Sequence, residues 1–185
     1  MADAIPRLEM ADLDPRIAAA LAPRVARLGY LGEFFKCTGH QPEPLLAFME
    51  FTEALKKSLP DRLTELVALT VAALARNDYE RHQHERLSDK LGFGRDWIRA
   101  VLALAPDRAG ALSDAERAVQ RLAIAALKDH GHDAAPQLAQ AIAAVGHEQA
   151  IAVLMLIGRY TTHALIVNAI GLAPPVGSIF ADERG

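Results

Sequence analysis

Cysteine is nearly missing from this 185-residue chain: Cys37 stands alone. One cysteine excludes an intramolecular disulfide, a four-cysteine zinc site and a two-cysteine redox pair within a single chain. Aromatic residues are also scarce, at 5%, which leaves little surface for stacking bases. There is no excess of positive charge. Twenty Lys and Arg face 23 Asp and Glu, giving a formal net charge of −3 and a pI near 6.2. No strong positive field is therefore available to hold nucleic acid. The first 14 residues carry acids and Pro6 rather than a basic run followed by an apolar one, so the expectation is a cytoplasmic protein. The longest uncharged stretch, residues 160–180, contains Thr161, Thr162, His163, Asn168, Gly171, Pro174 and Pro175. It is too polar and too interrupted for a membrane span and reads as a buried helix followed by a loop.

What the chain does have is material for a core. Hydrophobic residues make up 51% and charged residues 23%, and about a third of all positions are Ala or Leu, both strong helix formers. No segment sustains β-branched alternation, so the predicted fold class is all-α. Helices are expected from Asp14-Pro15 to about Gly29, over 31–37, from Pro44 to Ser58, and from Pro60 through Leu74. Others are expected over 77–91, 95–105, 113–130, 134–145 and 147–170, with an extended tail after Gly171. Two capping-box signatures open helices, Asn77 with Glu80 and Ser113 with Glu116. Residues 66–75 carry no charge, which predicts a helix buried on every side, inside the fold or at a subunit interface.

The chemistry concentrates just after that helix. At about 100° per residue, Asn77, Glu80 and His84 fall within roughly 60° of one another, and Leu87 and Leu91 lie near the same side. A carboxylate and an imidazole thus share the stripe expected to face the core. Either Glu80 is only a helix cap and His84 only a core histidine, or the pair moves a proton near neutral pH. His82 points about 160° away from His84 on the wheel, so a His-x-His metal pair is not expected. Arg81, His82, Glu85 and Arg86 read as a solvated face. Glu65 sits in a first helical turn and becomes a second carboxylate of the site only if the two helices fold back on each other. Tyr160 and His163, one turn apart on the last helix, either line a pocket or pack. His130 and His132 read as a helix-end loop, and Cys37 as a small, partly buried apolar residue.

Residues 59–84 resemble the carboxymuconolactone decarboxylase and alkylhydroperoxidase D-like superfamily. The cue is a proline-initiated helix, Arg62-Leu-x-Glu65-Leu-Val-x-Leu-x-Val-Ala, followed by a motif that opens the next helix. Peroxidase members of that superfamily carry Cys-x-x-Cys-x-x-x-His there, with a glutamate twelve residues before the first cysteine. The matching positions in this chain are Glu65, Asn77, Glu80 and His84. The glutamate and the histidine are kept and both cysteines are replaced. A thiolate that attacks peroxide and a thiol that resolves the product are therefore missing. The pattern is closer to the decarboxylase branch, which has Glu and His at the positions of Glu80 and His84. The resemblance is strongest over 61–105 and reappears at Arg159-Tyr160 and over 168–171. It implies an all-helical subunit in a homo-oligomeric ring, commonly a trimer or hexamer.

The domain reading that follows is an N-terminal helical segment over 1–40, a carboxymuconolactone decarboxylase-like domain over 41–175 and a tail over 176–185. The functional expectation is a proton-transfer enzyme acting on a small organic acid or lactone, with no cofactor and no metal. His84 would be the general acid or base, Glu80 would orient it, and Glu65, Asn77 and Tyr79 would line the pocket with Tyr160 and His163. Arg76 and Arg81 are candidates to stabilise a developing enolate if they turn inward. The alternative is a non-catalytic oligomer that keeps the motif as a hydrogen-bonded core network. A closed, dry Glu80–His84 pair favours that alternative, and an open cleft favours the enzyme.

Overall fold

The computed structural model describes residues 5–181, and among these there is helix and no strand. The order is α1 (Pro15–Leu28), α2 (Glu33–Thr38), α3 (Pro42–Ser58), α4 (Asp61–Leu74), α5 (Asp78–Lys90), α6 (Arg95–Leu102), a 3-10 turn (Pro106–Arg108), α7 (Asp114–Lys128) and α8 (Ala135–Ile170). The helix starts follow local chemistry. Asp14 caps α1 by accepting from Arg16 N, with Pro15 at the first helical position. Ser113 and Glu116 close a full capping box on α7. α3 begins at Pro42, two residues earlier than the sequence reading placed it. The two expected helices at 134–145 and 147–170 are the two parts of α8, broken at Gly146. There φ is 82° and ψ is 162°, a conformation open essentially to glycine alone.

α4 is the axis of the bundle and packs against α5, α6, α7 and α8. Every residue of α4 from Leu63 to Ala72 is buried, which matches a helix apolar on all sides. Leu66 and Leu69 are wholly enclosed, each worth about 2 kcal/mol relative to exposure. The core divides into two apolar clusters. The larger joins α4, α6, α7 and most of α8, including Leu66, Ile98, Leu122 and Leu156. The smaller joins Ile17, Leu21, Phe34, Cys37, Leu45, Tyr79 and Val167. Cys37, read as partly buried, is 4% exposed. Along α8 the two clusters meet between Tyr160, which belongs to the first, and Val167, which belongs to the second. The polar cluster described next lies at that seam.

Two expectations about α5 fail. Leu87 and Leu91 are 37% and 41% exposed, while Ser88 and Glu85 are buried. Glu85 is not on a solvated face, because the tail folds over it. Ser178 Oγ donates to Glu85 Oε2 at 2.6 Å and Ile179 N donates to the same oxygen at 3.2 Å. Arg86 Nε donates to Gly177 O and the His82 ring meets Val176 O. The tail is therefore bound along α5 rather than free; residues 182–185 of the expected tail lie outside the described residues.

Candidate active site

α4 and α5 form a tight antiparallel pair, because Arg76 takes φ 51° and Asn77 then caps the new helix by accepting from Glu80 N at 3.1 Å. Only half of the expected capping box forms. Glu80 does not reach back to the Asn77 backbone. Its carboxylate turns inward, into a cluster built from three helices.

His84 stands at the centre of that cluster. Its Nδ1 meets Glu65 Oε2 at 2.7 Å, and its Nε2 lies 3.4 Å from Glu80 Oε2. The carboxylate that orients the ring is thus Glu65 on α4, not Glu80 as the sequence suggested. The hairpin brings Glu65 back over α5, and Ser88 Oγ donates to the same Glu65 oxygen at 3.3 Å. Glu80 is held more loosely. Arg159 Nη1 is 3.7 Å from its Oε2, His163 Nε2 is 3.6 Å from its Oε1, and Gln83 Nε2 is 3.5 Å from Oε1. Tyr160 meets the His84 ring edge-on at 5.2 Å, and Phe34 stacks on His163 at 4.0 Å.

The seven candidate residues are all buried, and the structure sorts them. Glu65, Glu80, His84, Tyr160 and His163 converge. Asn77 sits behind Glu80 as a cap, with its Nδ2 buried and unpartnered. The Tyr79 hydroxyl turns toward α2 and accepts from Phe34 N at 3.4 Å. Arg76 is exposed and Arg81 pairs with Asp78 and Glu85, so neither is the inward cation. That cation is Arg159. Its Nε donates to Thr52 Oγ1 at 2.9 Å, and its guanidinium lies between the Phe48 and Tyr160 rings at 4.9 and 4.4 Å. Arg159 Nη1 and His163 Nδ1 are both buried with no hydrogen-bond partner.

The electrostatics follow from the packing. Burial alone would push the His84 pKa down; the Glu65 and Glu80 carboxylates outweigh it and raise the pKa to about 9. His84 is therefore an imidazolium at neutral pH. Burial would raise the Glu80 carboxyl, but His163, His84 and Arg159 hold it well below the usual carboxylate range. Burial lowers His163 to about 4 despite Glu80, so its ring is neutral near pH 7. At that pH, His84 and Arg159 are the two cations beside Glu80. Burial also raises the Tyr160 phenol and takes Tyr79 to about 12. Neither of two surface clefts, of about 700 and 490 Å³, is lined by Glu65, Glu80 or His84. The subunit encloses the cluster, with Glu80 8% and His84 9% exposed.

The chain is thus an all-helical bundle with a glutamate–histidine–glutamate cluster between consecutive helices. The carboxymuconolactone decarboxylase family model matches residues 42–121, the stretch that holds α3 to α6 and the first half of α7, and the single cysteine, Cys37, lies outside it. The fold is shared with solved structures. One is a peroxidase-related protein with an alkylhydroperoxidase AhpD core from Ralstonia eutropha JMP134. It is 17% identical, with a TM-score of 0.80 over 91% of this chain and 90% of that one. Another is the debrominase Bmp8 in complex with 2,3,4-tribromopyrrole, 17% identical, with a TM-score of 0.78 over 92% and 90% of the two chains. At that identity the likeness is one of fold. No curated protein sequence matches the chain.

Proposed function

We propose that this chain is an acid–base enzyme acting on a small organic acid or lactone, with His84 as the proton donor. One observation carries the reading: a buried imidazole with carboxylates at both nitrogens, 2.7 Å from Glu65 and 3.4 Å from Glu80. The short contact fixes Nδ1 and the ring plane. The long contact leaves the Nε2 proton weakly committed and available for transfer. Because the pKa is raised, His84 acts first as an acid at neutral pH and can take the proton back once neutral. A reaction that leaves an electron pair on carbon, as loss of a carboxylate does, needs a cation for the developing enolate oxygen and a proton for the carbon. Arg159 Nη1, buried without a hydrogen bond and held only by the longer 3.7 Å ion pair with Glu80, suits the first need, and His84 suits the second.

Buried charge is costly, and a merely structural contact is met more cheaply by apolar side chains. Shifted groups gathered around orphaned donors favour a working site. A cysteine peroxidase finds no support, since Cys37 lies on α2 and burial raises its thiol. The second reading, a non-catalytic member, is favoured by the enclosure of the pair. Self-association and a cytoplasmic setting go with either reading. NMR titration of the His84 ring against a panel of small carboxylic acids and lactones separates them. We expect a pKa near 9 that moves with one ligand class, and a His84→Gln variant that stays folded by circular dichroism while turnover falls at least ~100-fold. A ring indifferent to every ligand would leave the non-catalytic reading standing.

A further inference from the structure

Glu80 and His84 are buried, so a ligand reaches them only if a cover moves. The cover that touches the cluster most directly is Phe34. Its ring stacks on His163 at 4.0 Å, with 25° between the planes. Phe48 lies 6.0 Å from Phe34, and the Arg159 guanidinium lies 4.9 Å from Phe48. Arg159 and His163 stand one turn apart on α8, and both approach Glu80. A flat ring is thus already held beside the cluster, and it is the protein's own.

Phe34 belongs to α2, which has six residues and is the shortest α-helix among those described. The Phe34 N–H reaches the Tyr79 hydroxyl at 3.4 Å, a long bond. At the surface, α2 is tied by Arg7–Glu33 and Lys36–Glu9 ion pairs whose carboxylates are largely open to water. Such pairs hold an element weakly. Displacing the Phe34 ring therefore asks for the movement of one short helix.

The charge of the site limits what takes the place of that ring. Glu65 and Glu80 are two anions. His84, in contact with both, and Arg159, beside Glu80, are two cations. His163 is neutral near pH 7. These charges cancel. A carboxylate entering here would add an uncompensated charge to an enclosed space, which is costly. A carbonyl oxygen adds none, and it offers Arg159 Nη1 the hydrogen-bond acceptor that this donor lacks.

We infer that the ligand of this site is uncharged: a flat, unsaturated ring bearing a carbonyl, as in an unsaturated lactone, that displaces Phe34 from the face of His163 and accepts from Arg159 Nη1. The inference rests on the acid–base reading and narrows its substrates to the uncharged kind. Phe34 is then an internal competitor, which lowers the apparent affinity by the fraction of time that it fills the place.

Calorimetric titration of the parent and of Phe34→Ala tests this with three probes. 2-Pyrone is flat and uncharged, 2-furoate is flat and anionic, and benzene is flat without an acceptor. Removing the Phe34 ring leaves an apolar space of the kind that holds a benzene-sized ligand. Phe34→Ala should bind 2-pyrone about tenfold or more tightly than the parent does, and should bind 2-furoate and benzene about tenfold or more weakly than 2-pyrone. Phe34→Leu, a smaller cut, carries the same comparison if circular dichroism shows Phe34→Ala unfolded. Three results overturn the inference: 2-furoate bound as tightly as 2-pyrone, benzene bound as tightly as 2-pyrone, and a folded variant that binds 2-pyrone no better than the parent. The acid–base reading fails separately. If 2-pyrone binds as expected and the His84 titration does not move, the ligand class stands and the proton donor is lost. If 2-furoate binds instead and moves that titration, the proton donor stands and the inference falls.

Discussion

Two glutamates occupy the same position in the same kind of motif, three residues after a helix cap, and do opposite things. Glu116 closes its box. Its Oε2 accepts from Ser113 N at 2.7 Å, and its Oε1 accepts from Arg62 Nε at 2.7 Å and Trp97 Nε1 at 2.8 Å. Glu80 leaves its box open and faces His84, His163 and Arg159 at 3.4 to 3.7 Å. Both are buried. The first is saturated by short bonds in fixed directions, and the second is held by charge at longer range. A carboxylate held this way fixes structure, because both of its oxygens are committed to short bonds. A loosely held one keeps capacity to accept a hydrogen bond from a ligand, at some cost in stability.

The largest effect should come from breaking the saturated member. Glu116→Ala leaves Trp97 Nε1 and the Ser113 amide without an acceptor and frees the half-exposed Arg62. A loss of about 2–4 kcal/mol is expected by urea unfolding, with the His84 titration unmoved. A His84 pKa that shifts in this variant would show that the two networks are coupled and that the contrast is too simple.

The open member should dominate the pH dependence of stability. His84 has a folded pKa near 9 against an ordinary 6.5, so its contribution is complete below 6.5 and is lost as pH rises toward 9. His163 is shifted the other way, to about 4, so its contribution is complete above 6.5 and is lost as pH falls toward 4. Stability should therefore peak near pH 6.5 and fall on both sides by an amount on the order of 1–3 kcal/mol. His163→Phe should flatten the acid limb alone, read by thermal melts across pH. A melting profile that is level from pH 5 to 8.5 would contradict both shifts.

Much of this contrast could not be read from one helix at a time. The caps at Asp14, Asn77 and Ser113 were legible, because capping is a local contest for backbone N–H groups. The uncharged run after Glu65 announced α4 as the buried axis. Periodicity on α5 placed Glu80 and His84 on one stripe, but it could not show that Glu65 closes on His84 from the preceding helix. That depends on the angle of the hairpin at Arg76 and Asn77. Arg159 was passed over for Arg76 and Arg81, which are near in sequence, although it stands one turn before His163 and beside Tyr160, both already candidates. The wheel also allows α5 a single buried side. The tail supplies a second cover, and that is why Glu85 is enclosed while Leu87 is not.

Glu80→Gln should lower the His84 pKa by about one unit, since it removes the more distant of two carboxylates and leaves Glu65 in place. The stability cost should stay below that of Glu116→Ala.

Ser88→Ala is the smallest change and the finest test. It removes one donor, at 3.3 Å, from the Glu65 oxygen that holds His84. A loss of about 0.5–1 kcal/mol is expected. The direction of the pKa change matters more than its size. A carboxylate relieved of a donor attracts the imidazolium proton more strongly, so His84 should titrate slightly higher, opposite to the effect of Glu80→Gln. The matching change in the saturated box, Ser113→Ala, should cost about as much stability and leave the His84 titration where it was. If Ser88→Ala lowers the His84 pKa instead, Glu65 is not the carboxylate that governs the ring, and the division between a structural and a poised glutamate has to be redrawn around Glu80.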